Sequence, residues 1–416
     1  MRLQIKEVRE SNDLLNLLME NMSSALFLTD TEMRLQDFNN TLQKIFSRPE
    51  QEMLNQRCGN AMGCAFAVEE EALCGETSNC PNCVLRSSIL KALDHGQPTD
   101  REKLHRQFYV GETPVEKHFQ FSVRRIMHDE RPIIMVIIDD HTELESQRLA
   151  LLEKQKRLDE DLKAAAGIQQ SLLPQSFPEV RNCSFGSKFV PSAYVGGDIY
   201  NVFRMDDKRV VLYMIDVCGH GVASSLVTVS VSQMLHPSNA ILHQCKTGEY
   251  AARDSLYSSP SGLLQMLDQH YPFEKFDTYF TITYMVLDVR TGELLYSSAG
   301  HPFPLVLRAD GRLELLEEGG CLIGLSGMVP YEEGRTILRP GDRLVLYTDG
   351  ITEYFDRKGD MFGEERLYRW LVEGKSQEAQ AMLDDLYGEM MTFGTGKSPD
   401  DDISILAMDY HGALLH

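Results

Sequence analysis

The chain has 416 residues, which at roughly 150 residues per domain predicts two or three domains and argues against one compact core. Its 62 Asp and Glu against 41 Lys and Arg leave a formal charge of -21; a phosphate backbone or an anionic bilayer would be repelled, so nucleic acid and membrane are not expected partners. With 43% hydrophobic and 25% charged residues, the composition is that of ordinary folded domains and excludes collagenous, fully disordered and small disulfide-stapled classes.

The opening MRLQIKEVRE lacks the apolar core of a signal peptide, and apolar runs such as Ile133 to Ile138 fall far short of the roughly 20 residues needed to cross a bilayer. A cytoplasmic protein is expected. From Asn12 to Asp140 short strands alternate with short helices: Ala25 to Thr29 and Met33 to Phe38 read as a hairpin around Asp30 and Thr31, followed by a helix carrying Leu42, Ile45 and Phe46. Val115 to Val123 and Pro132 to Asp140 read as later strands, the second apolar enough to be central. Between these halves lie Cys58, Cys64, Cys74, Cys80 and Cys83, five of the nine cysteines; in a reducing compartment such crowding suggests a ligand cluster before a disulfide framework.

Residues 141–174 are rich in Glu, Lys, Gln, Leu and Ala. Leu144, Leu151, Leu158, Ala165 and Leu172 recur every seven residues, while the companion row mixes Arg148, Gln155 and Leu162. This predicts a helical linker with an imperfect coiled-coil seam, either a homodimer stalk or a signalling helix, with a solvated interdomain helix as the plain alternative. Pro174 and Pro178 end it. Beyond it, strands are expected at Val210 to Val217, Tyr279 to Asp288, Glu293 to Ser298, Pro304 to Arg308, Arg312 to Leu315, Asp342 to Tyr347 and Ile403 to Asp409. Helices are expected at Val222 to Leu235, Gly262 to His270, Glu364 to Leu371 and Gln377 to Met390, and residues 237 to 260 read as an exposed irregular insertion. Turn pairs such as Thr291-Gly292 favour antiparallel pairing.

Acidic residues recur at strand ends beside glycines: Asp198 in VGGDIY, Asp216 in MIDVCGHG, Asp349 in LYTDG, and Asp400, Asp401 and Asp402 in SPDDDIS. Carboxylates leaving one sheet edge can converge into the hard-oxygen environment that holds Mg²⁺ or Mn²⁺. Without a cation they would repel one another. Each piece alone also reads as a turn or a solvated loop; the combination carries the inference.

The ordered pieces VGGDIY, IDVCGHG, TYFTITYMVLD, YSSAGHPFPLVLR, PGDRLVLYTDGITE, FGEERL and DDISIL resemble the bacterial SpoIIE/RsbU-type branch of the PPM metal-dependent serine/threonine phosphatases, over about Ala165 to Tyr410. The resemblance implies an αββα sandwich over 175–412 and two Mn²⁺ or Mg²⁺ ions. It implies Asp198, Asp216, the backbone carbonyl of Val217, Asp349 and Asp401 as ligands, with Asp216 bridging and Asp402 the less favoured member of its pair. The implied reaction is in-line attack of an activated water on phosphoserine or phosphothreonine. His220 is a candidate proton donor or a structural turn residue, His301 offers the same two roles with the structural one preferred, and Cys218 reads as tolerated packing in preference to an added redox sensitivity. No arginine matches the phosphate-binding arginine of eukaryotic relatives.

NMSSALFLTDTEMRLQDFNNTLQKIF, with the two late strands, resembles a PAS sensor domain over 12–140, and its cysteine-rich insertion (58–83) resembles one seen in some bacterial PAS proteins, with Cys64, Cys74, Cys80 and Cys83 as the matching set. Four thiolates suit Zn²⁺ or an iron-sulfur cluster; a thiol-disulfide switch and inert thiols are the alternatives. The expected fold is therefore α/β of the α+β type: PAS domain, helical linker, phosphatase domain. The expected activity is that of a signalling phosphatase, with a phosphorylated STAS-type anti-sigma-factor antagonist as the implied substrate and dimerisation through the PAS domain and linker. A non-catalytic partner-binding scaffold is the alternative.

Overall fold

A computed structural model describes residues 13–412 apart from 129, 220, 237–256, 326 and 328. The expected proton donor His220 and nearly all of the expected insertion at 237 to 260 therefore lie outside the described residues. The chain divides into two compact units, Met1–Arg157 and Leu158–His416.

The first unit begins with α1 (Asp13–Asn21), β1 (Ala25–Thr29), β2 (Leu35–Phe38), α2 (Asn40–Phe46) and α3 (Glu50–Met53). The cysteine-rich stretch forms α4 (Cys58–Met62), α5 (Ala65–Glu69) and a 3₁₀ turn at Cys80–Asn82, before α6 (Val84–His95). β3 (Thr99–Val110), β4 (Thr113–His128) and β5 (Arg131–Asp140) complete an antiparallel sheet ordered β2-β1-β5-β4-β3. β5 is central, as its apolar run suggests. Period-two alternation sends Phe119, Phe121, Val123, Ile134, Val136 and Ile138 to one face, where they pack with Phe46 of α2 and Ile89 of α6. β3 escapes the sequence pattern because TDREKLHRQFYV buries only Leu104 and Phe108.

The linker is one helix, α7 (Thr142–Leu172). Leu144, Leu151 and Leu158 of its seven-residue row are all exposed, whereas Gln169 is buried. The second unit then adds β6 (Cys183–Val190), β7 (Asp198–Arg204), β8 (Arg209–Val217), α8 (Val222–Leu235), α9 (Pro260–His270), α10 (Phe273–Phe276), β9 (Phe280–Asp288) and β10 (Glu293–Ala299). It continues through β11 (Leu305–Leu307), β12 (Leu313–Leu315), β13 (Gly319–Gly320), β14 (Gly334–Ile337), β15 (Asp342–Tyr347), α11 (Asp349–Thr352), α12 (Glu364–Glu373), α13 (Ala379–Phe393) and β16 (Ile403–Tyr410).

These strands form two sheets, β13-β10-β9-β8-β7 with β14 on β10, and β12-β11-β15-β16-β6. Leu212, Met214, Met285 and Leu287 of the first sheet meet Leu344, Leu346, Leu406 and Met408 of the second in a shared core. Their alternate neighbours face outward: Val211, Tyr213 and Ile215 pack with α8 and α9, and Val345, Tyr347, Ile405 and Ala407 with α12 and α13. The result is a helix-sheet-sheet-helix sandwich whose central strands are buried on both faces, which explains their unbroken apolar runs. Among the described residues, no helix is long and apolar enough to cross a membrane.

Candidate functional site

The antiparallel register of β7 and β8 sets Asp198 directly opposite Asp216. Both lie at the sheet end from which the Val217 to Gly221 turn departs; its glycines 219 and 221 have φ of 88° and 95°, a left-handed backbone that side chains disfavour. Val217 donates its N–H to the Gly197 carbonyl at 3.3 Å. A Cβ on Gly197 would lie 2.5 Å from the Val217 carbonyl oxygen, so glycine is what lets the segments carrying Asp198 and Asp216 approach. Asp349 begins α11 directly after β15, and Asp401 and Asp402 precede β16, the strand paired with β15.

Asp198 is buried, and burial followed by the neighbouring Asp216 and Asp402 charges raises its pKa well above the usual carboxylate range. Burial, then the charges of Asp349 and Asp401, pushes Asp216 up to about 7. Asp216 also stands within hydrogen-bonding reach of Asp198 on one side and Asp349 on the other. It is therefore the hub of the carboxylate set, beside two members and within the field of Asp401 and Asp402. None of the leading influences on Asp198 or Asp216 is a lysine or arginine. Such a crowded anionic edge matches the donor chemistry of Mg²⁺ or Mn²⁺.

Asp402 plays a different part. Its Oδ1 accepts from the Ser192 N–H at 2.7 Å and the Ser192 hydroxyl at 3.0 Å, and its Oδ2 from the N–H groups of Gly197 at 2.7 Å and Asp198 at 3.4 Å. It is buried and spends its lone pairs on the loop that carries Asp198. Asp401 is exposed, and its Oδ1 accepts the Asp402 N–H at 2.8 Å.

Three supporting residues escaped the sequence reading. Thr348 donates its hydroxyl to Asp198 Oδ2 at 2.8 Å and so fixes the carboxylate's orientation. Thr228 of α8 donates to the Gly197 carbonyl at 2.6 Å. Gln169 of α7 grips Gly196 from both sides, its amide donating to the carbonyl at 2.7 Å and its Oε1 accepting the N–H at 3.0 Å. The end of the linker helix is thus built into the loop that presents Asp198. Their signal was a polar side chain inside an otherwise regular segment, which gains meaning only once burial is known.

His301 is buried with Nδ1 2.8 Å from the Thr281 hydroxyl, and burial lowers its pKa to about 3, in keeping with a structural reading. Cys218 corrects one expectation: its side chain is exposed and not packed, because the Gly-rich turn carries it off the sheet end.

In the first unit Cys64, Cys74, Cys80 and Cys83 all line one cavity, together with Cys58, Arg86 and Arg106. Cys80 receives the Gly75 N–H at 2.9 Å and lies 2.9 Å from the Thr77 hydroxyl. Burial raises its pKa, but these hydrogen bonds and Arg86 outweigh it and leave the thiol below its usual value. On the sheet, His105, Glu116 and His118 form a separate cross-strand group whose ligand atoms lie within 4.8 Å of one another. The sequence gives no hint of it, because only the β3–β4 register brings these residues together.

The family described as Stage II sporulation protein E (SpoIIE) matches residues 206–411. Protein IcfG of Synechocystis sp. is 24% identical over 261 residues, covering 60% of this chain and 41% of that protein. Phosphoserine phosphatase RsbU of Bacillus subtilis is 24% identical over 256 residues, covering 59% and 69%. Phosphoserine phosphatase RsbP of the same organism is 28% identical over 199 residues, covering 46% and 45%. The chain thus spans less than half the length of IcfG and RsbP. The SiaA-PP2C domain of Pseudomonas aeruginosa superposes with a TM-score of 0.51 at 22% identity, covering 62% of this chain and 98% of that one. The second unit therefore has a PP2C-like fold.

Proposed function

Because residues 206–411 form a phosphatase domain of the SpoIIE family, we propose that this chain is a metal-dependent phosphoserine and phosphothreonine protein phosphatase whose first unit controls it through α7. The observation that carries the reading is Asp216, a carboxylate touching Asp198 and Asp349 and feeling Asp401, with no cation among its leading influences. Asp198, Asp216, Asp349, Asp401 and the Val217 carbonyl would hold two Mn²⁺ or Mg²⁺ ions. When bound, such ions neutralise phosphoryl oxygens and acidify the attacking water. The protein's share is orientation: Asp402 fixes the Gly197–Asp198 backbone, Thr348 fixes the Asp198 carboxylate, and Gln169 fixes Gly196.

A PAS-type reading of the first unit is supported by the strand order β2-β1-β5-β4-β3 with its helices between β2 and β3. Its cysteine pocket is a ligand site for the input. The linker reading is supported by the Gln169 clamp, and dimerisation by the exposed Leu144, Leu151 and Leu158 row. The likeness to the phosphoserine phosphatases RsbU and RsbP supports a phosphoserine protein as substrate; a phosphorylated STAS-type anti-sigma-factor antagonist is the candidate that the resemblance of the sequence motifs implies.

Phosphate release from phosphoserine, phosphothreonine and phosphotyrosine peptides, with Mn²⁺ and with chelator, tests the activity. Release from the first two only in the presence of metal is expected. Equal turnover in chelator, or no turnover with any divalent metal, would contradict it.

A further inference from the structure

Five thiols around one cavity can serve a single metal ion, a metal cluster or a disulfide, and the geometry separates these. All the cysteines described are free. A tetrahedral zinc site with bonds of about 2.3 Å puts its sulfurs roughly 3.8 Å apart. Among the described residues, however, the group of three ligand atoms that all come within 4.8 Å is His105, Glu116 and His118 on the sheet, not any three of the cysteines. The sulfurs surround a space and do not converge on a point.

The thiols also differ in what already engages them. Cys58 is buried, and its S–H donates to the Met33 carbonyl at 3.1 Å, so its sulfur already has a backbone partner. The other four come from three places: Cys64 caps α5, Cys74 sits in the following loop, and Cys80 and Cys83 bracket the 3₁₀ turn that leads into α6. Donors point at their sulfurs. Gly75 N–H reaches Cys80 Sγ at 2.9 Å, and Arg106 Nη1 reaches Cys64 Sγ at 3.6 Å. A Cβ on Gly59 would lie 2.8 Å from Cys74 Sγ, so the backbone leaves room for that sulfur. Thiolate-bound clusters are anionic and are stabilised by N–H donors to sulfur and by nearby positive charge. Arg86 and Arg106 on the cavity wall supply that charge.

We propose that this cavity holds an iron-sulfur cluster bound by Cys64, Cys74, Cys80 and Cys83, with Cys58 outside the ligand set. This deepens the sensor reading of the first unit and rests on it for the purpose of the site; it does not depend on the phosphatase reading.

The test is elemental and spectroscopic, on the full chain purified without oxygen. Iron and acid-labile sulfide in equal amounts, with a broad visible sulfur-to-iron absorption, are expected. Cys80→Ser and Cys83→Ser should each lower bound iron roughly tenfold or more, whereas Cys58→Ser should keep iron and spectrum unchanged. One zinc per chain without sulfide would overturn the cluster while leaving a metal-based sensor pocket. Metal-free thiols, or a disulfide, would overturn the cluster and the metal reading together. Iron loss in Cys58→Ser equal to that in Cys80→Ser would overturn the ligand assignment. The metal content of the unaltered chain decides even if a variant fails to fold.

Discussion

The two units gather ligand-type side chains of different chemistry. In the second unit, carboxylates crowd one sheet end and raise one another's pKa, with Asp216 beside Asp198 and Asp349. In the first, thiols line a cavity that has Arg86 and Arg106 on its wall. The carboxylate edge needs divalent ions to relieve its own repulsion, and hard oxygen donors suit ions that exchange with solvent. The thiol pocket is compensated by the protein and suits a retained soft-ligand group. On the proposals made above, the chain would separate an exchangeable catalytic cofactor from a resident one.

Chelation gives the largest contrast. EDTA should abolish phosphate release, with recovery on adding Mn²⁺ or Mg²⁺, while the visible absorption of the thiol pocket persists; a simultaneous loss of both signals would break the distinction. Next comes Asp402→Ala. It leaves buried donors at Ser192 and Gly197 without an acceptor, at a cost of about 1–3 kcal/mol. It should also lower turnover by roughly a hundredfold, seen as a raised Mn²⁺ requirement and a lower melting temperature. Gln169→Ala should reduce turnover about tenfold with little change in melting temperature, because it frees Gly196 without opening a core cavity. If Gln169→Ala is silent, the linker is not coupled to the site through this clamp. The smallest effect is expected from Arg106→Ala, which should retain iron but move the cluster's reduction potential, read by a spectroscopic redox titration.

Much of the second unit was readable because its strands, buried on both faces, run as long apolar segments that stop at Asp-Gly or Gly-Asp turns. Asp349 stands just past such a stop, and Asp216 stands next to the last residue of the apolar strand β8. β6, β7 and β14 were missed: CSFGSKFV, DIYNVFR and GRTI carry too many polar residues to stand out. Asp402 and Asp401 are adjacent and chemically identical, and only the loop folded over Asp402 distinguishes a positioning carboxylate from an exposed one. The seven-residue leucine row marked α7 as a helix but gave no reason to single out Gln169, whose partner Gly196 is 27 residues away. In the first unit the crowding of cysteines was plain, whereas the separate engagement of Cys58 required the fold around Met33.

The central claim, that Asp216 organises a metal-dependent phosphatase centre, is tested most directly by following phosphate release from a phosphoserine peptide across a Mn²⁺ titration, for the unaltered chain and for Asp216→Asn side by side. The unaltered chain should show a saturable, Mn²⁺-dependent rise, and the variant should stay at baseline at every concentration. A variant that titrates to the same plateau would contradict the claim.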